Sequence, residues 1–258
     1  MSRLLPRLLT CLLLLPLPQA HADLTLNGRS TVVAMGMQGN GKEKVWLDGT
    51  FIRRDMVDRG KAYSNIFDLK AREVTVLDHS QRQATVYSTA SLKEQTDAAV
   101  DSKAIRLDVK PTGRTHTLGK WPCVENSLSL AMPAEIGGEK LSFQMDGTIW
   151  LARGTPEQKE TASVLRLMQE PDFFMGIPPL AKAAPVQARG ISEAIRRLAP
   201  LGLLCSVDVA LRYEGTGRVA TLSRKMASRI SLTFDDYKTE SIPKDTFKVP
   251  AGYRVVKP

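Results

Sequence analysis

Two stretches of the sequence alternate apolar and polar residues with a period of two. Leu141, Phe143, Met145, Ile149 and Leu151 share one face, against Ser142, Gln144, Asp146 and Thr148 on the other. Leu203, Cys205, Val207, Val209, Leu211 and Tyr213 do the same against Ser206, Asp208 and Arg212. Successive strand side chains point to opposite faces, so each stretch predicts a strand with one apolar and one wet face. Such a sheet must curl round itself or be covered by helices. This pattern limits the chain more than any other feature it carries.

The segment before position 90 extends the prediction. Extended runs at 24–27 and 31–35, 44–47, 50–57, 62–69, 74–77 and 84–87 are separated by turn signals, of which Asp48-Gly49 is the strongest hairpin dipeptide. Turns at intervals of about 8–12 residues argue for a meandering antiparallel sheet, not βαβ units. Helices are predicted at three places. Ser91-Leu92-Lys93-Glu94 has capping-box spacing and opens a helix to about Lys103. Thr155-Pro156-Glu157-Gln158 places Thr at the N-cap and Pro at the first helical position, with Val164, Leu165 and Met168 as the buried stripe and Pro171 as the stop. Ile191, Ala194, Ile195 and Leu198 recur at helical spacing, with Glu193, Arg196 and Arg197 opposite. The fold class expected is α+β, mostly antiparallel β. Between the second and third helices, the segment 171–180 is apolar and reads as too Pro-rich for a helix. It is expected to plug the core or to form a lid, with Phe173 and Phe174 at a hydrophobic mouth.

Residues 1–22 read as an address. Arg3 and Arg7 precede a short leucine run, and the segment closes on Ala20-His21-Ala22, small residues at −3 and −1, which is the pattern of a secretory signal cleaved after Ala22. Cys11 lies inside the apolar run and not directly after it, which argues against a lipid anchor. The expected mature chain, 23–258, is a single domain in an oxidising compartment outside the cytoplasm. Its two cysteines, Cys123 and Cys205, are there free to pair. Cys205 falls on the apolar face of its strand, whereas Cys123 alternates with Trp121 and Glu125, opposite Val124 and Leu128. A bulge at Pro122 would reconcile the two; otherwise they are buried free thiols.

The chain carries 36 basic and 27 acidic residues, a formal charge of +9. Arg218, Arg224, Lys225 and Arg229 form one basic group and Arg53-Arg54 another. Outside the cytoplasm nucleic acid is not the expected partner. An anionic membrane surface or an envelope protein is, since each cation near an anionic surface adds roughly 1 kcal/mol; the alternative is a generally basic solvated surface.

Motifs for catalysis fail. The segment 36–42 matches G-x-x-x-x-G-K but continues with Glu43 where a Mg-binding hydroxyl is required, and a strand follows where a helix must start, so a hairpin turn is expected there. His79 and His116 stand apart from other metal ligands and read as surface residues, so no metal is expected. No G-x-S-x-G elbow and no Cys–His pairing in sequence is present. Neither a cofactor nor enzymatic activity is expected.

Several segments together resemble a known group. They are Phe51-Ile52-Arg53-Arg54-Asp55, Asn65-Ile66-Phe67-Asp68-Leu69, Gly119-Lys120-Trp121-Pro122-Cys123, a strand ending Ile149-Trp150-Leu151-Ala152, and the closing Phe247-Lys248-Val249-Pro250-Ala251-Gly252-Tyr253. In this order the chain resembles secreted bacterial proteins related to the LolA-like periplasmic lipoprotein carriers. The resemblance implies an incomplete, curved β-barrel with helices plugging its open side and a hollow that holds acyl chains, together with an arginine near the lid, matched loosely by Arg53 or Arg54. A hollow lined by Leu, Val, Met and Phe removes acyl chains from water at about 0.8 kcal/mol per CH₂. On this reading the compartment is the periplasm, and the chain binds a lipid, a lipoprotein acyl chain or another hydrophobic ligand. The inward set is Phe51, Ile66, Phe143, Met145, Ile149, Val207, Val209 and Leu211, with Phe173 and Phe174 at the lid. A filled, non-catalytic envelope scaffold is the alternative. The helical stretch 155–201 exceeds a minimal carrier of this kind.

Overall fold

The computed structural model describes residues 23–34, 37–58, 60–98, 100, 102–170, 173–175, 178–226 and 228–257. The expected signal segment 1–22 lies outside them, as do Gly36 of the glycine-rich loop and Pro171, Asp172, Gly176 and Ile177 of the Pro-rich segment.

The first strands are β1 (Leu24–Ala34), β2 (Met37–Asp48), β3 (Phe51–Asp58), β4 (Lys61–Asp68), β5 (Glu73–Asp78) and β6 (Gln83–Ser88). Helix α1 (Thr89–Asp97) follows, then the long strands β7 (Arg106–Leu118), β8 (Trp121–Ile136) and β9 (Glu139–Ala152). Helices α2 (Pro156–Glu160), α3 (Ala162–Leu167), α4 (Pro178–Ala183) and α5 (Pro185–Leu198) precede β10 (Leu203–Glu214). Helix α6 (Arg218–Lys225), β11 (Ser228–Thr239) and β12 (Arg254–Val256) complete the chain.

Among the described residues the twelve strands form one sheet, ordered β12-β6-β5-β4-β3-β2-β1-β11-β10-β9-β8-β7. Neighbours are antiparallel except β12 on β6. The order does not return on itself, so the barrel is unclosed. The expected α+β class and open, helix-plugged sheet are what the chain adopts.

Registers show which residues share a face. Ile149 pairs with Val207, Val207 with Leu232, Leu232 with Ser30 and Ser30 with Gly41. Alternation along β1 to β4 then puts Leu24, Leu26, Leu47, Ile52 and Phe67 on the face of Ile149 and Val207. The helices cover this face. Leu92 of α1, Val164 of α3, Ala181 of α4 and Ala188 of α5 join its β1–β5 part, and Val186, Ala194 and Leu198 of α5 join its β8–β10 part. Twelve strands laid flat would span about 50 Å. A few short helices reach both halves because the sheet curls around them. Glycine permits the curl. A Cβ at Gly28 would sit 2.4 Å from Thr233 O and one at Gly147 2.0 Å from Asp208 O, both on the inner face where neighbouring backbones crowd.

The outer face is wet over much of its length, but it is buried beside the disulfide, at Cys123, Ala152 and Leu203, and where the end of the chain crosses it. Phe247, Val249 and Tyr253 pack on Ile66, Leu77 and Ala84, and Phe247 lies against Phe51. Arg53 donates to Thr246 O at 2.7 Å, and His79 hydrogen-bonds both Ser64 Oγ (2.7 Å) and the Tyr253 hydroxyl (2.6 Å). His79 therefore anchors this segment and is not a plain surface residue as expected.

Several local expectations are corrected. The glycine-rich loop is mostly strand, because β2 begins at Met37 and runs through Gly39 and Gly41. The cap of α1 is Ser88, whose hydroxyl accepts from Ser91 N, so the Ser91/Glu94 box is not the start, and α1 ends at Asp97. Thr155 caps α2 as expected, accepting from Gln158 N at 3.2 Å, but the helix breaks at Thr161 before α3. The Pro-rich segment does contain a helix, α4, with Pro178 and Pro179 in its first turn, where a missing N–H is harmless. Helix α5 starts six residues earlier than its apolar spacing indicated, with Pro185 leading it, and Glu193 is buried instead of facing water.

Cys123 and Cys205 form a disulfide, with Cα atoms 6.5 Å apart. The bulge that reconciles their faces is not at Pro122. Strands β8 and β9 stay in register throughout, and the shift lies between Leu204 and Ser206, which makes Cys205 the extra residue of β10. The bulge turns Cys205 off the face of Val207 and Val209. Cys123 is registered on Ala152, and Ala152 on Leu203, so the bridge ties β8 to β10 beside the end of β9.

Candidate functional site

Inner-face residues of β8, β9 and β10 build an apolar wall. Phe143, Met145, Ile149, Val209 and Leu211 are buried there, with Val207 half-buried beside them. Leu128, Leu130, Met132 and Ala134 of β8 complete the wall. Their alternation is visible in the sequence, so the pattern that revealed β9 and β10 could have revealed them too. Helix α5 lies directly on this wall. A Cβ at Gly190 would be 3.0 Å from Phe143 Cε1 and 3.3 Å from Met132 Cε, so only glycine lets the helix approach so closely. Side chains fill the hollow between sheet and helices at this point.

Two expected inward residues are elsewhere. Phe51 pairs with Asp68 and Ile66 with Arg53 on the outer face, beneath the C-terminal segment, while their neighbours Ile52 and Phe67 face inward. Phe173 and Phe174 are 6% and 1% exposed and are packed inside, not displayed at a mouth. Both border a cleft of about 20 Å³ with Leu69, Arg72, Thr89, Leu167 and Glu170, room for about one water molecule. Met175 N donates to Ser192 Oγ at 3.1 Å and ties this segment to α5.

The two candidate arginines have separate settings. Arg53 is on the outer face, bidentate on Asp55. Arg54 is on the inner face, where Nε donates to Glu43 Oε2 at 2.7 Å and Nη2 to Oε1 at 3.0 Å; Glu43 is itself buried. Its guanidinium is satisfied within the sheet. The arginine that joins the covering helices is Arg189 of α5, which no sequence pattern singled out because it lies on what looks like a polar helix face.

Arg189 is 3% exposed. Its Nε is 2.8 Å from Asp97 Oδ1 of α1 and its Nη1 is 3.6 Å from Glu193 Oε2. The alignment is poor: Arg189 Nε, Arg189 Nη1 and Asp97 Oδ1 are all buried without a hydrogen-bond partner. Lys93 also pairs with Asp97. Arg196 and Arg197 donate to Glu193, with Arg196 Nη2 at 2.6 Å from Oε1. Charged side chains therefore join α1 to α5 over the apolar wall. Buried ion pairs of this kind contribute little net stability, because desolvation offsets much of their attraction.

Burial pushes Glu193 toward a higher pKa, but the hydrogen bonds and charges of Arg196 and Arg197 outweigh it and hold the carboxyl below its usual range. A depressed folded pKa stabilises above the unfolded value and is lost as pH falls through the folded one. Glu193→Gln is thus expected to lower Tm by a few degrees at pH 7, and the difference should begin to shrink below about pH 4, where the unfolded glutamate protonates, and close as pH falls through the lower folded pKa. Melting curves of both proteins across pH check this; a constant offset contradicts it.

Among the described residues no group of three or more His, Cys, Asp or Glu is arranged to hold a metal ion. No protein-family model matches the sequence, and no curated protein matches it. Solved structures similar to it include an uncharacterized conserved protein from Thermus thermophilus, with 9% identity over 93% of this chain and 92% of that chain and a TM-score of 0.37. A putative outer membrane lipoprotein-sorting protein domain from Vibrio parahaemolyticus has 6% identity over 89% of this chain and 90% of that one, with a TM-score of 0.32. A LolA superfamily protein from Nitrosomonas europaea has 9% identity over 89% and 91%, with a TM-score of 0.28. The last two bear the names of the group that the sequence resembles. At these scores the likeness carries no argument about function, which rests on the chain's own residues.

Proposed function

We propose that the chain is a periplasmic binding protein or carrier for a lipid, a lipoprotein acyl chain or a similar hydrophobic ligand, seen here with its hollow closed. The observation that carries this reading is the cover over the apolar wall. No second sheet closes it among the described residues. Helices close it, and their joint is a buried ionic cluster in which Arg189 is ion-paired to Asp97 and Glu193 while three of the polar atoms make no hydrogen bond. A buried ion pair whose desolvation offsets its attraction holds the helices only weakly, which lowers the work of lifting α5 and exposing the wall to a guest. The disulfide supports an extracytoplasmic location, since such bonds persist in oxidising compartments. Binding a chain by burial needs no catalytic group, and we assign none.

Gly190→Val tests the moving cover. The added carbon atoms wedge α5 away from Phe143 and Met132, and overpacking of this kind costs about 1–3 kcal/mol. The variant is expected to melt earlier and to take up a fluorescent fatty-acid probe faster than the wild type. A less stable variant with unchanged uptake contradicts the mechanism.

The filled wall also favours a second reading, a closed scaffold with no guest. Gly190→Val would then lose stability, and neither protein would take up the probe.

A further inference from the structure

One end of the sheet carries three exposed large apolar side chains, Val32, Met37 and Leu222; two further ones, Val57 on β3 and Val255 on β12, lie apart from them. Registers put Val32, opposite Gly39, and Met37, opposite Ala34, on the inner face at the tip of the β1–β2 hairpin, whereas Val57, opposite Lys42, is on the outer face. The β1–β2 hairpin brings Ala34 opposite Met37, Val33 is registered on Arg229 at the start of β11, and Leu211 near the end of β10 is registered on Ser228. Helix α6 bridges β10 and β11 at this same end. Helix α6 buries Ala220 and turns Arg218, Thr221, Leu222, Arg224 and Lys225 outward. Leu222 is 53% exposed. Gly217, Arg218, Thr221, Leu222 and Lys225 line an open groove of about 470 Å³.

Nearby acids are already engaged. Glu139 accepts from the backbone N–H groups of Arg218 and Val219, Glu214 accepts from Arg212 and Gln144, and Asp208 accepts from Arg229 and Ser231. Arg218, Arg224 and Lys225 make no ion pair among the described residues; Arg224 only donates to Gly215 O and Thr221 Oγ1. The helix thus offers three cations outside any close ion pair around an exposed leucine, of which Arg224 is near the Glu214 carboxylate, beside a hairpin that projects more apolar side chains. Cations above apolar side chains match a bilayer interface, in which anionic headgroups overlie hydrocarbon. An acidic protein would satisfy the cations but leave the apolar rim without a counterpart.

We infer that α6 and the β1–β2 hairpin form a docking surface for an anionic lipid bilayer, with Leu222, Val32 and Met37 entering the interface and Arg218, Arg224 and Lys225 meeting the headgroups. No helix among the described residues is long and apolar enough to cross a membrane, and docking of this kind needs none. Helix α6 packs on the covered wall through Ala220 and Val219, and its outward Arg218, Leu222 and Lys225 take no part in that wall, so docking does not need a ligand in the hollow.

The test is co-sedimentation of the 23–258 chain with phosphatidylcholine vesicles made with and without phosphatidylglycerol. Binding is expected only with the anionic lipid and should weaken as salt is raised. At about fivefold per cation, Arg218→Gln/Lys225→Gln should weaken it about 25-fold. Leu222→Ser should weaken it several-fold with an unchanged Tm, because the side chain is exposed. Failure of the wild type to sediment with anionic vesicles overturns the proposal, as does equal binding by the double variant. Association with a polyacidic protein without vesicle binding overturns it in favour of a protein partner.

Discussion

Replacing the disulfide by C123A/C205A is expected to lower stability by about 4 kcal/mol. The bond closes a loop with a sequence separation of 82, and a cross-link of that span removes much of the freedom of the unfolded chain. For a chain of this size the loss corresponds to a Tm lower by roughly 8–16 °C. The bond also pins the bulge at Cys205, which sets the phase of the rest of β10 against β9. Calorimetry with and without reductant checks the prediction; a shift of a degree or two would show that the curled sheet holds β8 to β10 unaided.

Phe143→Ala is expected to cost about 3–5 kcal/mol. The ring is wholly buried, lies 5.4 Å from the Tyr213 ring between centroids, and supports α5 at Gly190. Phe51→Ala makes the contrast. That ring is half-exposed on the outer face against Phe247, so its loss should cost less, loosen the C-terminal segment and leave probe uptake unchanged. If the two variants altered uptake alike, the assignment of faces would be contradicted.

Phe51 and Ile66 show where the sequence stops being readable. Alternation tells which residues share a face but not which face is inside, and in β4 the adjacent Ile66 and Phe67 are both buried. Both can be buried because the outer face is covered as well, by Phe247, Val249 and Tyr253. That covering segment comes from the far end of the chain, about 180 residues beyond Ile66 along the sequence. Strands β9 and β10 were legible because water lies on one side of them, so polarity labels both faces.

Helix α6 was missed for a different reason. Arg218, Arg224 and Lys225 read as a charge cluster, and the helix that aligns them around Leu222 is short and has Gly217 at its start in place of a strong capping side chain. The prolines at 178 and 179 misled in the opposite sense, since they begin α4 instead of preventing it. Arg189 and Glu193 were hidden by the rule that charged helix positions face water. Here α1 covers them, and the ionic cluster around them makes that burial tolerable. The apolar wall was therefore largely legible, whereas the device that closes it depends on a helix–helix contact with no sequence period of its own.

The most direct test of the account is native mass spectrometry of the chain purified from the cells that make it, with organic extraction of whatever accompanies it, repeated after incubation with membrane lipids. A discrete lipid or acylated adduct, retained by the wild type and exchanged faster by Gly190→Val, is the predicted result. A bare mass in both experiments and for both proteins would contradict the carrier and leave a filled scaffold in its place.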